Sequence, residues 1–296
     1  MAGSTWEFDE AFPVLEHDPA TGAQAVELLA HGNAQFANID PSADQPYVMR
    51  VGSDDLGFGA APGIAPKQAP FAALLGCADA RVPLELLFLQ SANDLFVVRV
   101  AGNVLGAECV GSLDYAIEHL SSVRLIGVVG HTGCGAVSAA ADAYLDPTTY
   151  LGVSANLPLR AIVDAVMPTV RAADEALRFA HGAGTSDRAG FHAALVDTAV
   201  VINAAVAADA IRTMFAPNLG ESLSVAYGVY DLASRQVGLP TVGGDDPRWT
   251  PGMVAPPVDD DFPTFVAELV RTPYVRSLLD THPGPNLHHI PESGVR

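Results

Sequence analysis

The 296-residue chain is short of cysteine and of long apolar runs. Three cysteines in a chain of this length do not make a disulfide framework, so we expect a reducing compartment with free or metal-bound thiols. No run approaches the roughly 18 apolar residues of a membrane span, because Asp197 and Asn203 interrupt the Ala-rich stretch at 193–208. The first residues show no basic region followed by an apolar one, and we therefore expect no signal peptide.

Positive charge is scarce as well: 15 Lys and Arg residues stand against 34 Asp and Glu residues, which gives a formal net charge of −19. Proteins that bind nucleic acids or anionic membranes use clusters of Lys and Arg, and the sequence has none. The glycine patterns of nucleotide-binding loops, GxGxxG and GxxxxGK followed by Ser or Thr, are absent too. We therefore expect a cytoplasmic protein with an acidic surface, whose partners are neither nucleic acids nor membranes.

Three continuous apolar runs are typical of parallel strands buried on both faces, and they lie at residues 71–76, 95–100 and 123–130. Residue patterning predicts helices at residues 23–38, 84–90, 107–120, 159–180, 188–215 and 262–279. Further strands are expected at residues 223–230 and 235–239. The sequence thus predicts an α/β fold with a central, mostly parallel β-sheet flanked by helices, an N-terminal helical arm and a C-terminal extension.

Stretches rich in Pro, Gly and Asp separate these elements. Residues 1–20 have an irregular pattern, and residues 39–67 indicate a long loop without periodicity. Pro, Gly and Asp again punctuate the chain from residue 240 onward. We expect one domain over residues 1–240, which includes the helical arm, and an extension of unknown role over residues 241–296.

Two short polar motifs directly follow two of the expected strands, CADAR at 77–81 and HTGC at 131–134. Ligands of open α/β sheets bind beyond the carboxyl ends of the strands, where both motifs fall. Two thiolates and an imidazole are three of the four ligands of a tetrahedral zinc ion, and they leave one position open for chemistry. The sequence therefore predicts that Cys77, His131 and Cys134 bind Zn²⁺.

Asp79 and Arg81 lie within four residues of the first expected ligand. Asp79 could be the fourth metal ligand in a closed state, or it could turn away to pair with the planar guanidinium of Arg81. In the second arrangement water takes the fourth position, and zinc lowers the pKa of that water from 15.7 towards about 7. The sequence leaves the choice between the closed and the open site undecided.

The other potential metal ligands receive structural interpretations. Cys109 lies in an expected helix without a matching partner, and we interpret it as a core residue. His282, His288 and His289 lack acidic or cysteine companions at fixed spacing. We interpret them as exposed histidines of the C-terminal tail and not as a second metal site.

Together these motifs resemble those of the β-class carbonic anhydrases. The CxDxR and HxxC motifs are similar to the zinc signature of that family. Further segments resemble family motifs in the family's order, and they run from about residue 21 to about residue 240: LLAHGNAQF at 28–36, QAP at 68–70, LFVVR at 95–99, AGN at 101–103, SLDYA at 112–116 and GVYD at 228–231.

The resemblance implies zinc-dependent, reversible hydration of carbon dioxide to bicarbonate and a proton, by attack of zinc-bound hydroxide. It implies catalytic roles for Asp79 and Arg81. It further implies a substrate pocket that contains Gln68, Phe96, Gly102 and Tyr115, in which the glutamine donates a hydrogen bond and the aromatic rings wall the slot. A homodimer or a dimer of dimers is the assembly that the resemblance implies.

Two alternatives stay open at the level of sequence. The same scaffold and zinc ligands could hydrolyse carbon disulfide or carbonyl sulfide, which are linear molecules like carbon dioxide. Alternatively, a zinc ion could be purely structural, with Asp79 closing the site permanently. The presence of Arg81 argues against the structural role, because such a site needs no arginine to hold the carboxylate away from the metal.

Overall fold

The computed structural model describes residues 5–8, 18–40, 48–51, 65 and 67–281. The strands in this part of the chain are β1 (Thr5–Phe8), β2 (Val48–Val51), β3 (Ala72–Gly76), β4 (Leu95–Arg99), β5 (Leu125–His131), β6 (Ser224–Tyr230), β7 (Val237–Pro240) and β8 (Trp249–Pro251). The α-helices are α1 (Gly22–Ala37), α2 (Leu84–Leu87), α3 (Ala107–His119), α4 (Gly135–Leu145), α5 (Pro147–Ser154), α6 (Leu157–His181), α7 (Phe191–Met214), α8 (Phe262–Leu269) and α9 (Pro273–Asp280).

The main sheet has six strands in the order β4-β3-β5-β6-β7-β8. The first four run parallel to one another, and β7 and β8 each pair antiparallel with the preceding strand. β1 and β2 form a separate parallel pair. The α/β fold with a central, mostly parallel sheet is therefore confirmed.

Apolar side chains fill both faces of this sheet, as the continuous apolar runs predicted. On β3, Ala73 and Leu75 belong to the larger core cluster, which lies under α3, α4, α6 and α7. Ala72 and Leu74 point to the opposite face and join the smaller cluster with residues of α1 and α2. Because successive side chains of a strand alternate between faces, a strand buried on both sides needs apolar residues at every position.

Several element boundaries differ from the sequence-based expectation. The single helix expected at 262–279 is two helices, because Pro273 cannot donate a backbone hydrogen bond and Thr272 caps the N-terminus of α9. β1 and β2 lie in segments that were expected to be irregular. The helix expected at 84–90 is shorter in the structure, as α2. Two helices that were not predicted, α4 and α5, precede α6.

The helical arm α1 is attached to the rest of the fold by Asn33. Its side-chain amide donates to the carbonyls of Leu87 and Arg235 at 3.1 and 3.2 Å, and its side-chain oxygen accepts from the amide of Val237 at 2.7 Å. The preceding Gly32 allows the close approach, since a Cβ atom there would lie 1.8 Å from the carbonyl oxygen of Phe88. One buried side chain thus joins α1 to α2 and to β7.

α7 is the one helix in the described ranges that is long and apolar enough to cross a membrane. Inside the fold, 78% of its most apolar window is buried. Its buried residues contact the sheet and α6, so its apolar character is accounted for by its place in the core.

The segment after β7 packs on the same core. α9 lies against α7, and Leu269, Val270, Val275 and Leu279 are buried members of the larger cluster. The rings of Trp249 on β8 and Tyr274 on α9 meet edge to face, with centroids 5.0 Å apart. The part of the C-terminal extension that the structure describes is therefore continuous with the core.

Replacement of Asn33 by alanine should destabilise the protein substantially. The change leaves three backbone groups of the buried junction without their partner, and each such group costs about 1–3 kcal/mol. We expect a total loss of at least about 3 kcal/mol, which corresponds to a fall in melting temperature of roughly 6 °C or more by differential scanning calorimetry. The exposed Asn38→Ala is the control: it removes one solvent-exposed hydrogen bond, to the carbonyl of Ala34 at 2.8 Å, and should cost about 0.5–1 kcal/mol. Equal melting temperatures for the two variants would contradict this account of the junction.

Candidate metal centre

The topology brings the two polar motifs together at one edge of the sheet. Cys77 directly follows β3, His131 is the last residue of the neighbouring β5, and Cys134 directly precedes α4. All three side chains are buried, and their ligand atoms all lie within 4.8 Å of one another. Parallel strands end at the same edge, which explains how residues 54 positions apart in the sequence meet.

The spacing of the sulfur atoms fits a tetrahedral metal ion. The Sγ atoms of Cys77 and Cys134 are 3.9 Å apart, and the structure records both thiols as free. Two bonds of about 2.3 Å at the tetrahedral angle place two sulfur atoms about 3.8 Å apart. The sulfur pair therefore already has the separation that a shared zinc ion requires.

The imidazole of His131 is oriented as a metal ligand would be. Its Nδ1 lies 3.1 Å from the carbonyl oxygen of Thr132, which can only accept, so the proton is on Nδ1. Its Nε2 is buried and has no hydrogen-bond partner among the residues that the structure describes. A buried nitrogen lone pair fixed in this tautomer and left unpaired is what a metal ligand needs.

The hydrogen bond between Cys77 and Cys134 shifts the pKa values of the two thiols in opposite directions. The hydrogen bond from Cys134 lowers the pKa of Cys77, and the same hydrogen bond, together with burial, raises the pKa of Cys134. Two adjacent thiolates repel each other, so without a cation only one of them ionises readily. A divalent ion between the sulfur atoms would remove this repulsion. The charge of the two thiolates therefore favours a metal ion at this position, as does the spacing of the sulfur atoms.

Asp79 is paired with Arg81 through two hydrogen bonds, from Nε to Oδ1 at 2.9 Å and from Nη2 to Oδ2 at 2.7 Å. The Arg81 amide donates a third, at 2.9 Å. The Arg81 side chain is the main cause that lowers the pKa of Asp79 to about 2, so the carboxylate is ionised at neutral pH. Its Oδ2 lies 3.9 Å from Nε2 of His131, close to the three ligand atoms.

The loop between His131 and Cys134 is held on both sides of Gly133. Its amide donates to Oδ1 of Asp197 at 2.8 Å, and its carbonyl accepts from Nη2 of Arg81 at 3.4 Å. Gly133 has a φ of +62°, a conformation that favours glycine.

The neighbouring Thr132 is fixed independently of Gly133. Its hydroxyl donates to Oδ1 of Asp231 at 3.2 Å and accepts from the amide of Leu232 at 3.0 Å. Two successive residues between the ligands are therefore anchored to the surrounding fold.

The loop that carries Cys77 is also held by its neighbours. The amide of Gly102 donates to the Cys77 sulfur at 3.4 Å, and Asn203 on α7 donates to the Gly102 carbonyl at 2.9 Å. Arg99 donates to the carbonyls of Cys77 and Asp79 at 3.0 and 2.6 Å. Hydrogen bonds to the sulfur and to the loop backbone preorganise the site.

The comparison with known families agrees with this geometry. Residues 72–237, more than half of the chain, match the family model described as carbonic anhydrase. The chain belongs to the β-carbonic anhydrase family. The matched region contains the three ligands, and it ends before β8, α8 and α9.

Carbonic anhydrases with curated names share moderate identity with this member of the family. Carbonic anhydrase 2 of Mycobacterium tuberculosis is 44% identical over 108 residues, which are 36% of this chain and 49% of that protein. The carbonic anhydrase of Mycolicibacterium smegmatis is 36% identical over 146 residues, which are 49% of this chain and 63% of that protein. The chain thus spans less than two thirds of the length of these relatives.

Among solved structures, the β-carbonic anhydrase CcaA superimposes with a TM-score of 0.43 at 22% identity. The superposition covers 58% of this chain and 79% of CcaA.

The residues expected to form the substrate pocket of a β-carbonic anhydrase occupy different surroundings. Gly102 is buried against the Cys77 sulfur. The rings of Phe96 and Tyr115 lie 6.4 Å apart, and Tyr115 is 48% exposed. Gln68 is exposed in the segment before β3.

Among the residues that the structure describes, Cys109 is the other potential ligand that was considered, and it does not join the centre. Cys109 is buried on α3 as a core residue, outside the cluster of ligand atoms. His282, His288 and His289 lie outside the described residues, so their interpretation as tail histidines stays a prediction.

Asp197 and Asn203 have roles that the sequence motifs did not predict. Both interrupt the apolar run of α7, and each reaches a backbone group next to a metal-ligand candidate. Burying such a group without a partner is costly, so lone polar residues in a core helix indicate a specific partner. That signal was present in the sequence, although the identity of the partners was not.

Proposed function

We propose that this chain catalyses the reversible hydration of carbon dioxide to bicarbonate and a proton, with a zinc ion held by Cys77, His131 and Cys134. The observation that supports it most is the convergence of these three ligand atoms within 4.8 Å, next to a carboxylate that Arg81 holds by two hydrogen bonds. Three protein ligands are typical of catalytic zinc sites, whereas structural sites commonly have four.

The protein residues around the site have separate tasks. Zinc bound to such ligands lowers the pKa of water to about 7 and so makes hydroxide available near neutral pH. Arg81 keeps Asp79 ionised and engages both oxygens of its carboxylate. The free lone pairs of the carboxylate can accept a hydrogen bond from a water molecule at the site and so orient it. Both residues therefore have catalytic roles in this proposal.

We assign substrate recognition to the residues that the family resemblance indicates. Carbon dioxide is small and apolar, so it needs an apolar slot and few hydrogen-bond donors. We assign the walls of the slot to Phe96 and Tyr115, and a donor role towards substrate or bicarbonate to the amide of Gln68. Gly102 lets the backbone approach the site closely, because a residue without a Cβ leaves room for it.

The proposed assembly is a homodimer or a dimer of dimers in the cytoplasm. β4 is an edge strand of the sheet, its residues from Leu95 to Val98 are only half-buried, and Tyr115 nearby is exposed. A second copy over this edge would cover these apolar side chains.

Multi-angle light scattering of the purified protein should therefore give at least twice the mass of one chain. A monomer at micromolar concentration would contradict the proposed assembly.

The central prediction is that the purified protein contains about one zinc ion per chain and hydrates carbon dioxide. Zinc content would be measured by plasma emission spectrometry, and hydration by stopped-flow pH-indicator assays at pH 7 and near pH 9. Cys134→Ser removes one thiolate ligand, so we expect it to lose most of its zinc and its activity. Cys109→Ser is the matched control, because this cysteine lies outside the metal centre.

The outcomes separate the functions that the sequence left open. Zinc-dependent turnover of carbon dioxide supports the proposal. Full zinc content without carbon dioxide turnover at either pH would refute it and would direct the assay to carbonyl sulfide and carbon disulfide. Inactivity on all three substrates would leave the structural role of zinc.

Replacement of Arg81 by alanine tests the Asp79 pair. Without its partner, Asp79 is free to move towards the metal centre, and we expect kcat to fall about 10–100-fold while zinc stays bound. Arg160→Ala is the matched control, since Arg160 also forms a half-exposed pair, with Asp164 at 3.2 Å. An Arg81→Ala enzyme with the kcat of the wild type would show that the pair has no catalytic role.

A further inference from the structure

A chain of three hydrogen-bonded groups connects α9 to the metal centre. The hydroxyl of Tyr274 donates to Oδ2 of Asp197 at 2.8 Å, and Oδ1 of the same carboxylate accepts from the Gly133 amide at 2.8 Å. Gly133 lies between the two ligand candidates of the HTGC loop. Tyr274 lies beyond the part of the chain that matches the family model, and it contacts the loop indirectly, through Asp197.

The Asp197 carboxylate has both oxygens engaged, and the two contacts reach different parts of the chain. α7 holds its backbone, the metal loop occupies Oδ1, and α9 occupies Oδ2. A partly buried carboxylate with a single hydrogen bond can rotate about its side-chain torsions. A second hydrogen bond on the other oxygen fixes the plane of the carboxylate and therefore the position of Oδ1.

Tyr274 is itself well placed to fix this plane. Its ring packs against Trp249, and its backbone lies in a helix that is buried against α7. Burial and the adjacent Asp197 raise the pKa of the Tyr274 hydroxyl, so it remains a proton donor at neutral pH. The donor thus has a fixed position and a fixed protonation state.

The geometry of Gly133 makes the loop sensitive to this support. Its φ of +62° and the opposing hydrogen bonds at its amide and its carbonyl set the turn that separates His131 from Cys134. If the Asp197 contact is lost, the 3.4 Å contact to Arg81 is the side-chain hydrogen bond that remains at this residue within the described part of the chain. The separation of the two ligands then becomes less defined.

We propose, on the basis of the metal site proposed above, that Tyr274 and Asp197 are positioning residues of the metal centre. They hold the HTGC loop in the shape that metal binding requires. The described part of the C-terminal extension is thereby assigned a role: it completes the support of the metal site and does more than cover the core.

Tyr274→Phe tests this role with little disturbance of packing, because it removes only the hydroxyl and keeps the ring against Trp249. Partners that orient metal ligands typically change metal affinity 10–100-fold, and we expect about a 10-fold loss of zinc affinity in chelator competition. The Co²⁺-substituted protein should also show altered d–d and thiolate charge-transfer bands. Neither measurement depends on catalytic activity.

Tyr144→Phe is the matched control. Tyr144 also donates its hydroxyl to a carboxylate, that of Asp174, at 3.1 Å, and this pair has no contact with the HTGC loop. We expect Tyr144→Phe to keep the zinc affinity and the Co²⁺ spectrum of the wild type, even where its melting temperature falls. Equal losses of affinity in both tyrosine variants would overturn the positioning role.

Variants of Asp197 test whether the two residues act as one unit. Asp197→Ala should weaken zinc binding more than Tyr274→Phe does, and Asp197→Asn should recover much of that loss because it restores an oxygen acceptor for Gly133. Adding Tyr274→Phe to Asp197→Ala should cause no further loss, since the hydroxyl then has nothing to position. Additive losses in the double variant would contradict coupling through the carboxylate.

The remaining outcomes distinguish this inference from the proposed function. Wild-type affinity in Tyr274→Phe would overturn the positioning role and leave the metal site intact. A wild-type protein that binds neither zinc nor Co²⁺ would overturn both proposals. A protein that binds zinc, loses affinity in Tyr274→Phe and does not hydrate carbon dioxide would support the positioning role and refute only the catalytic function.

Discussion

Two buried sulfur atoms that lie 3.9 Å apart repel each other when both are ionised, and a cation between them removes this repulsion. The rest of the site is arranged around this constraint. His131 supplies a nitrogen in the neutral tautomer, and the guanidinium of Arg81 compensates the carboxylate of Asp79. In a chain with a formal net charge of −19, the local balance of charge at this edge of the sheet depends on very few positive groups.

α7 combines two functions that are usually carried by different elements. Most of its side chains are buried and fill the core next to the sheet. Two of its polar side chains, those of Asp197 and Asn203, hydrogen-bond backbone groups at the ligand loops, at Gly133 and at Gly102. The free energy cost of placing polar groups in the core is offset by these bonds, which also fix the two loops relative to one helix.

The sequence was most informative where the structure depends on local patterns. Continuous apolar runs predicted the parallel strands, and the ends of those strands predicted which motifs meet, because strand direction alone brings Cys77 and His131 to one edge. The break in the helix after Leu269 was missed, although Pro273 marked it. The contact between Tyr274 and Asp197 depends on how two distant helices pack, and no local pattern encodes that packing.

The order of synthesis gives this distant contact a consequence for assembly. Cys134 and Tyr274 are 140 residues apart. At about 5–20 residues per second, a ribosome makes the ligand loop roughly 7–28 s before the tyrosine that supports it. Throughout that interval the nascent chain holds all three ligand side chains, first without Asp197 and then with an Asp197 carboxylate that lacks its second hydrogen bond. A metal ion bound early would therefore be held by a less ordered HTGC loop. The loop would become fully ordered only when α9 packs against α7.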